Sequence, residues 1–547
     1  MAIDVDLPPR RVAEMTKAGF WHGKILTDYL DQCLVDVPDK LALVDSGTGV
    51  RLTFRELGRR VDRLAVGLAG LGVEAGDVVS YQLPNWWHFI ALHLACVRIG
   101  AVTNPLMPIF RARELSFMLG LAESKVFIVP QRFRDFDYAA MARELRPQLP
   151  NLHHLLAIGG AGDESFEARL LDHPWEENCD LASLYAARRP DPNDVTQLLY
   201  TSGTTGEPKG AMHTANTLLA NIIPYAERLG LGRDDVVLMA SPMAHQTGFM
   251  YGLMMPFVLE ATAVLQDIWE PQRAAKLIAA EKVTFTMAST VFLADLANVA
   301  TEPQDFASLR IFLSAGAPIP GALVERAQKA LGCTVVSAWG MTENGAVTLT
   351  RLDDPEERAA NSDGCALPGM ETCIVDAQGR RVPAGSEGFL KVRGCSNFVG
   401  YLKRPQLGNT DAEGWFDTGD LARMDETGYI RITGRAKDII IRGGENIPVV
   451  EIEALLFRHP AIEAVAIVGM PDQRLGERAC AFVVPKKGHQ ITLADLVQFL
   501  DGQKVARHYL PERLEIVAEL PRTPSGKVQK FRLREMAKGL IGDQAAS

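Results

Sequence analysis

The residues best suited to chemistry form one short stretch, residues 200–210, which reads Y-T-S-G-T-T-G-E-P-K-G. Glycines let backbone N–H groups turn toward an anion, and the Ser and Thr hydroxyls add short donors. Lys209 adds a positive charge that can follow a moving phosphate. The spacing, which ends in Pro-Lys-Gly, favours a phosphate-binding loop over a solvated polar loop. No Gly-Lys-Ser/Thr follows at the Walker offset, which argues against a P-loop NTPase.

Two further polar turns come directly after apolar, strand-like runs. Residues 310–313 lead into Ser314-Ala315-Gly316-Ala317-Pro318, and residues 335–338 lead into Trp339-Gly340-Met341-Thr342-Glu343. Parallel strands place their carboxyl ends at one edge of a sheet, where ligands bind. The three turns therefore predict one shared ligand crevice.

The elements that must position these turns alternate between strand and helix signals, which predicts an α/β fold built on parallel sheets covered by helices. The phosphate loop is expected to follow a strand and to lead into a helix over 214–229, whose N-terminus could act on the same anion. Residues 144–190 are polar and irregular, and we expect a surface connection there. From about 374 to 434, short alternating strands predict a β-rich subdomain, and residues 435–547 predict a compact α+β unit.

Composition limits the classes of function. A chain of 547 residues with 47% hydrophobic content exceeds one core, and a net charge of −10 argues against general nucleic-acid binding. Residues 435–547 carry 17 Lys and Arg against 14 Asp and Glu, whereas residues 1–434 carry 40 against 53. A basic C-terminal unit could close over an anionic ligand.

The cysteines, the N-terminal sequence and the short apolar stretches favour a cytoplasmic protein. The eight cysteines form no C-x-x-C pair and no cluster with histidines, which is typical of free thiols in a reducing compartment. The acidic N-terminus lacks the pattern of a signal peptide, and the longest apolar stretch, 249–265, is interrupted and short for a membrane span. Peripheral membrane contact stays open, as does the choice between monomer and homodimer.

Five motifs in order resemble those of the adenylate-forming superfamily, which contains acyl-CoA synthetases, amino-acid adenylation domains and firefly-type luciferases. They are the loop ending at Gly210, then W-G-M-T-E at 339–343, T-G-D at 418–420, G-R-A-K-D at 434–438 and P-S-G-K at 524–527. The resemblance covers nearly the whole chain. Within the superfamily, residues 83–87, 104–108 and 442–447 are similar to bacterial short-chain acyl-CoA synthetases and cyclohexanecarboxylate-CoA ligases. The resemblance to the superfamily implies a large N-terminal domain, 1–434, and a small mobile C-terminal domain, 435–547, with a hinge near Lys437.

The resemblance implies a reaction in two halves. A carboxylate attacks the α-phosphate of ATP to give acyl-AMP and pyrophosphate, and a thiol, usually that of coenzyme A, then displaces AMP. Positive charge and amide dipoles must offset the repulsion of two anions, and Mg²⁺ must neutralise the leaving pyrophosphate. Glu343 is the expected Mg²⁺ ligand, since Mg²⁺ takes one or two carboxylates together with phosphate oxygens.

The resemblance also implies roles for individual residues. Thr342 would donate to the α-phosphate, Asp420 would accept from both ribose hydroxyls, and Arg435 would contact ribose and phosphates. Lys527 would reach the α-phosphate and the substrate carboxylate, and domain rotation would withdraw it before thiolysis. His245 would lie beside the carboxylate and the thiol tunnel, with a buried core histidine as the alternative. The expected nucleotide and pantetheine contacts are Thr201, Ser202, Gly203, Thr204, Thr205, Gly206, Lys209, Gly316, Ala317, Pro318, Ser337, Ala338, Trp339, Gly340, Met341, Gly443 and Gly444.

The sequence therefore predicts an acyl-CoA ligase that uses ATP and Mg²⁺ and acts on a fatty, alicyclic or small aromatic acid. Amino-acid adenylation domains place an aspartate near residues 243–248 to hold the α-amine, and none is present there. One alternative is an adenylating enzyme that loads a carrier protein. Another is a non-catalytic binding protein of the same fold, against which the presence of Lys209, Glu343, Asp420 and Lys527 together argues.

Overall fold

The computed structural model describes residues 3, 5, 7–201, 207–300, 303–316, 319–442, 445–472 and 474–542. Within these residues the chain forms sheets of nine, six, five and four strands and one two-stranded hairpin. Parallel pairing dominates the two largest sheets, and helices cover them, so the α/β prediction is confirmed. No helix of the described residues is both long and apolar enough to span a membrane.

The strands are given sheet by sheet, in spatial order. The nine-stranded sheet contains Cys365–Ala366, Gly345–Leu349, Thr334–Met341, Ile311–Ser314, Phe285–Ala288, Val236–Met239, Thr262–Leu265, Leu41–Asp45 and Arg51–Thr53. The six-stranded sheet contains Lys209–Thr214, Val195–Thr201, Val102–Pro105, Val78–Tyr81, Val126–Pro130 and His154–Ile158. The four-stranded sheet contains Met370–Val375, Glu387–Gly394, Phe416–Met424 and Ile430–Arg435. The C-terminal sheet contains Glu445–Ile447, Ile440–Arg442, Gly476–Pro485 and Ile462–Asp472, with Arg513–Ile516 beside Gly476–Pro485, and the small hairpin contains Arg132–Phe133 and Phe136–Asp137.

The α-helices follow the amphipathic segments between these strands. The helix Phe54–Gly70 begins at Thr53, whose hydroxyl accepts from Glu56 N while the Glu56 carboxylate accepts from Thr53 N, a capping box. The α-helices are Pro9–Lys17, Leu26–Asp36, Phe54–Gly70, Trp87–Arg98, Ala112–Leu121, Tyr138–Leu145, Leu181–Arg188, Ala215–Arg228, Met255–Leu259, Pro271–Glu281, Thr290–Val299, Gly321–Leu331, Glu356–Asn361, Val449–Leu456, Leu493–Gly502 and Lys530–Gly542.

The phosphate loop joins two antiparallel strands, so the prediction of a strand, loop and helix in direct succession was wrong. Thr201, at the end of Val195–Thr201, pairs with Lys209, at the start of Lys209–Thr214. The predicted helix exists as Ala215–Arg228, but it begins after the second strand, whose six residues span about 20 Å. The N-terminus of this helix therefore cannot act on an anion held by the loop.

Two other sequence predictions need correction. Residues 144–190 are not only a surface connection, because His154–Ile158 forms the edge strand of the six-stranded sheet and its central residues are buried. Trp339, Gly340 and Met341 are not a flexible turn, because the strand Thr334–Met341 continues through them and pairs with Gly345–Leu349. Gly340 is needed for this close pairing, since a Cβ there would overlap the carbonyl of Gly345.

Candidate functional site

Lys209 stands at the end of the phosphate loop with its charge over an aromatic ring. Its Nζ lies 4.8 Å from the centre of the Tyr401 ring, a cation–π contact. Thr201 lies opposite it on the neighbouring strand. The predicted contacts Ser202, Gly203, Thr204, Thr205 and Gly206 lie outside the described residues.

Glu343 is held in the short turn that connects Thr334–Met341 to Gly345–Leu349. It is buried, its carbonyl accepts from Phe398 N at 2.7 Å, and its Oε1 accepts from the Tyr401 hydroxyl at 2.7 Å. Among the described residues, no N–H or hydroxyl donates to Oε2. The described residues contain no group of three or more His, Cys, Asp or Glu that could hold a metal. The Glu343 carboxylate is fixed through Oε1, and its Oε2 could bind a Mg²⁺ ion that is held mainly by phosphate oxygens.

Thr342 is fixed through its backbone by His213, a residue that the sequence reasoning missed. His213 Nε2 donates to the Thr342 carbonyl at 2.8 Å, and its Nδ1 faces the Thr217 hydroxyl at 3.1 Å. Burial lowers the pKa of His213 to about 4, so the ring is neutral at physiological pH. His213 therefore holds the turn in place without adding charge to the site.

Asp420 lies between an indole and a guanidinium. Its Oδ2 accepts from Trp339 Nε1 at 2.9 Å, and its Oδ1 accepts from Arg435 Nε at 2.8 Å. Each carboxylate oxygen can accept more than one hydrogen bond, so both can also receive a ribose hydroxyl. The Asp420 carboxylate is the main cause of the raised pKa of Arg435. Trp339 and Arg435 thus orient the Asp420 carboxylate.

Further predicted contacts lie on two neighbouring strands: Gly316 follows Ile311–Ser314, and Ser337 and Ala338 lie within Thr334–Met341. Gly316, just after Ile311–Ser314, has φ +85°, and no atom lies within 4 Å of the place that a Cβ would occupy, so its face is open. Ser337 pairs with Ser314 across the sheet, and Ala338 follows it, both buried. Ala317 and Pro318 lie outside the described residues.

Lys527 reaches the same site from the C-terminal part of the chain. It is surrounded by protein and lies in the electrostatic field of Arg435, Asp420, Asp438 and Glu343. Repulsion by Arg435, followed by desolvation, lowers the pKa of Lys527 to about 8. Gly526, the neighbour of Lys527, approaches Ser289 just after the strand Phe285–Ala288. The C-terminal lysine therefore lies near Glu343 of the nine-stranded sheet and near Asp420 and Arg435 of the four-stranded sheet.

His245 lies within the electrostatic influence of Lys527. Burial, followed by the charge of Lys527, lowers its pKa to about 4, and its Nδ1 accepts from Thr247 N at 3.4 Å. A base this weak is poorly matched to a thiol, whose pKa is about 8.5. The neutral ring is therefore suited to orient a substrate rather than to take its proton.

The remaining predicted residues are the hinge residue Lys437 and the two glycines expected to contact pantetheine. Lys437 lies in the 3₁₀ turn Ala436–Asp438, and its side chain lies outside the description. Asp438 of that turn pairs with Arg534. Gly443 and Gly444, between the paired strands Ile440–Arg442 and Glu445–Ile447, lie outside the described residues.

Comparison with protein families matches residues 30–402 to the family described as AMP-binding enzyme and residues 451–527 to the AMP-binding enzyme C-terminal domain. The chain belongs to the AMP-binding enzyme family. It is therefore an adenylating enzyme that binds ATP, of the AMP-forming acid–thiol ligase class.

Two relatives illustrate the range of this family around the chain. A medium-chain fatty-acid–CoA ligase of Escherichia coli is 38% identical over 98% of this chain and 94% of its own length. A 2,3-dihydroxybenzoate-AMP ligase of Bacillus subtilis is 34% identical over 96% of each chain. One relative is named for a CoA product and the other for an adenylate product.

Solved structures confirm the fold. ATP-bound MatB from Rhodopseudomonas palustris is 28% identical and superposes with a TM-score of 0.82 over 94% of this chain and 100% of its own. Apo MatB from the same organism, 29% identical over 95% and 99%, superposes with a TM-score of 0.71. The arrangement of this chain is therefore closer to the ATP-bound structure.

Proposed function

We propose that the protein joins a carboxylic acid to coenzyme A in two steps, with acyl-AMP as the intermediate. A carboxylate oxygen attacks the α-phosphorus of ATP, and the bond to pyrophosphate breaks. The CoA sulfur then attacks the acyl carbon, the bond to AMP breaks, and the thiol proton leaves to solvent. The observation that carries the proposal is that Gly526, next to Lys527, approaches Ser289, which follows a strand of the nine-stranded sheet, while Asp420 accepts hydrogen bonds from Trp339 and Arg435.

The charges of the site support the first step. The acid and ATP are both anions, and the cations Lys527 and Arg435 lie where their repulsion must be offset. Glu343 would hold Mg²⁺, which supplies charge neutralisation to the leaving pyrophosphate. Lys209, which lies over the Tyr401 ring at the end of the predicted phosphate loop, would hold that pyrophosphate.

The acyl side of the site supports a plain carboxylic acid rather than an amino acid. Residues 243–248 carry no carboxylate that could pair with an α-amine, and His245 is neutral. Met243, Ala244 and Phe249 around it are buried and apolar. A fatty, alicyclic or small aromatic acid fits this chemistry.

Coenzyme A as the acceptor is supported by the fatty-acid–CoA ligase among the relatives, which is 38% identical over nearly the full chain. The second candidate, loading of a carrier protein, is favoured by relatives such as the salicyl-AMP ligase / salicyl-S-ArCP synthetase of Mycobacterium tuberculosis, which is 36% identical. Both candidates share the adenylation step and differ only in the thiol.

A panel of carboxylic acids with ATP and Mg²⁺ tests the proposal. We expect acid-dependent pyrophosphate release and, with CoA added, the mass of the matching acyl-CoA. Acyl-AMP that CoA does not discharge, but a pantetheinylated carrier protein does, would favour carrier loading. Absence of pyrophosphate release with every acid tested would contradict adenylation itself.

A further inference from the structure

Lys527 is presented by a small, internally bonded hairpin. Thr523 N donates to the Lys527 carbonyl at 2.8 Å, and Lys527 N donates to the Thr523 hydroxyl at 3.0 Å. Arg522 Nη1 donates to the Gly526 carbonyl at 3.0 Å, and an antiparallel bridge joins Arg522 to Val528. These bonds make residues 521–529, the lysine hairpin, a compact unit that holds Lys527.

The lysine hairpin rests on the start of the helix Thr290–Val299 in the large N-terminal part. Gly526 has φ +85°, and a Cβ there would overlap the Ser289 hydroxyl and lie 3.4 Å from Val291 Cβ. Ser289 stands at the N-cap position of the helix but makes no capping bond, and its buried hydroxyl has no hydrogen-bond partner among the described residues. The approach of Gly526 to Ser289 is therefore as close as a residue without a side chain allows.

Two opposite charges lie near the same contact without forming a direct ion pair. Asp295, on that helix, attracts Arg522, the residue that braces the Gly526 carbonyl. Asp295 is oriented by Trp269, whose Nε1 donates to its Oδ2 at 2.8 Å. Burial disfavours both charges, raising the pKa of Asp295 and lowering that of Arg522, and each charge opposes the shift of the other.

We propose that Ser289 and Asp295 form a docking seat that positions the lysine hairpin for adenylation and must release it before thiolysis. The proposal deepens the proposed function and rests on it. Neither residue touches a reacting atom, so both are positioning residues that act through Gly526 and Arg522. The seat makes the position of Lys527 depend on one steric contact and one pair of charges across the junction.

The first test removes the charge of Asp295 and keeps its shape. Asp295→Asn retains an oxygen to accept from Trp269, so the helix keeps this bond, but it loses the attraction to Arg522. Coupling energies of neighbouring charged groups correspond to about three- to tenfold in rate. We expect acid-dependent ATP–pyrophosphate exchange to fall by about that factor, while thioester formation from supplied acyl-AMP and CoA is unchanged or faster.

Glu453→Gln is the matched control. Glu453 pairs with Lys530 at 2.6 Å, just beyond the hairpin but within the C-terminal part of the chain. This substitution removes the charge of Glu453, which is partly buried like Asp295, and it leaves Ser289 and Asp295 unchanged. We expect it to leave the ratio of the two half-reaction rates unchanged.

The second test uses the close approach at Gly526. Gly526→Ala should slow pyrophosphate exchange strongly, because the new methyl group overlaps the Ser289 hydroxyl and the positive φ is strained. Ser289→Ala in the same chain removes the overlapping oxygen, so we expect the double variant to recover part of the lost exchange rate. A structural effect confined to either residue would not produce such a rescue.

The outcomes separate this inference from the proposed function. If the wild-type chain forms no acyl-AMP with any acid, the proposed function fails. If it forms acyl-AMP but Asp295→Asn slows both half-reactions equally, or Ser289→Ala gives no rescue of Gly526→Ala, the docking seat is wrong. Unequal half-reaction rates together with rescue support it.

Discussion

At the scale of residues, the site is organised by a few buried hydrogen bonds that fix charged groups. Asp420 accepts one hydrogen bond on each carboxylate oxygen, from Trp339 and from Arg435, and Glu343 accepts one from Tyr401. The bonds leave lone pairs on these carboxylates for a nucleotide and its metal. The two carboxylates are therefore oriented before any ligand binds.

Asp420→Asn should weaken ATP binding. The amide keeps one accepting oxygen but loses the charge that pairs with Arg435 and strengthens bonds from the ribose hydroxyls. Hydrogen bonds to charged groups contribute about 1.5–3 kcal/mol, so we expect at least about tenfold weaker ATP binding by calorimetry. Unchanged affinity in a variant with wild-type melting temperature would remove Asp420 from the ribose site.

The rate of adenylation should depend on pH through Lys527. Its pKa is lowered to about 8, and the charged ammonium is the form that attracts phosphate and carboxylate, so charge is present below pH 8 and lost above it. We expect kcat/KM for ATP in pyrophosphate exchange to decline as pH rises through about 8. Lys527→Arg, which stays charged, should abolish this decline even if its rate is lower; persistence of the decline would assign it to another group.

At the scale of elements, Tyr401 connects Lys209, at the end of the predicted phosphate loop, to the turn that holds Glu343. The segment 399–402 pairs with Lys209–Thr214 through bonds from Met212 N to the Gly400 carbonyl and from Leu402 N to the Gly210 carbonyl. From this edge, Tyr401 places its ring under Lys209 and its hydroxyl on Glu343. A single side chain thus fixes the distance between the two groups that would face the pyrophosphate.

Tyr401→Phe separates these two contacts, because it keeps the ring under Lys209 and removes the hydroxyl from Glu343. We expect Mn²⁺ binding to weaken by about tenfold in the presence of a non-hydrolysable ATP analogue. Electron paramagnetic resonance of Mn²⁺ measures this binding. Tyr401→Leu, which also removes the ring, should additionally weaken binding of the ATP analogue. Equal Mn²⁺ affinity of Tyr401→Phe and wild type would contradict the link.

Much of the fold was predictable because its signals are local. The strand Val236–Met239 and the helix Trp87–Arg98 follow runs of apolar residues whose length and spacing identify them. The pairing of Lys209–Thr214 with Val195–Thr201 was missed, since a short run containing glycine and histidine carries little strand signal. Register across a hairpin depends on contacts that the sequence does not display.

The site was predictable only where residues belong to motifs. Glu343, Asp420 and Lys527 stand in recognisable runs, whereas Tyr401 and His213 act through contacts made by distant elements. Gly-Tyr-Leu at 400–402 and a lone histidine three residues past the loop are common patterns with many structural uses. The same holds for Ser289 and Asp295, whose relation to the hairpin exists only in three dimensions.

At the scale of the whole molecule, the candidate site combines residues of the N-terminal part, 1–434, with residues of the C-terminal part, 435–547. Lys527 lies far along the sequence from Asp420 and Glu343, yet its pKa responds to both. The closer superposition on ATP-bound than on apo MatB is in line with an arrangement suited to adenylation. We propose that residues 435–547 move as a domain about Lys437 between the two half-reactions.

The two half-reactions of Lys527→Ala, measured separately, test this account most directly. We expect formation of acyl-AMP from ATP and acid to fall by about 100-fold or more, the scale of losing one transition-state charge contact. Conversion of supplied acyl-AMP and CoA to the thioester should stay near the wild-type rate, since the proposed domain movement would withdraw Lys527 for that step. Equal loss of both half-reactions would contradict the role of Lys527 and the movement of its domain.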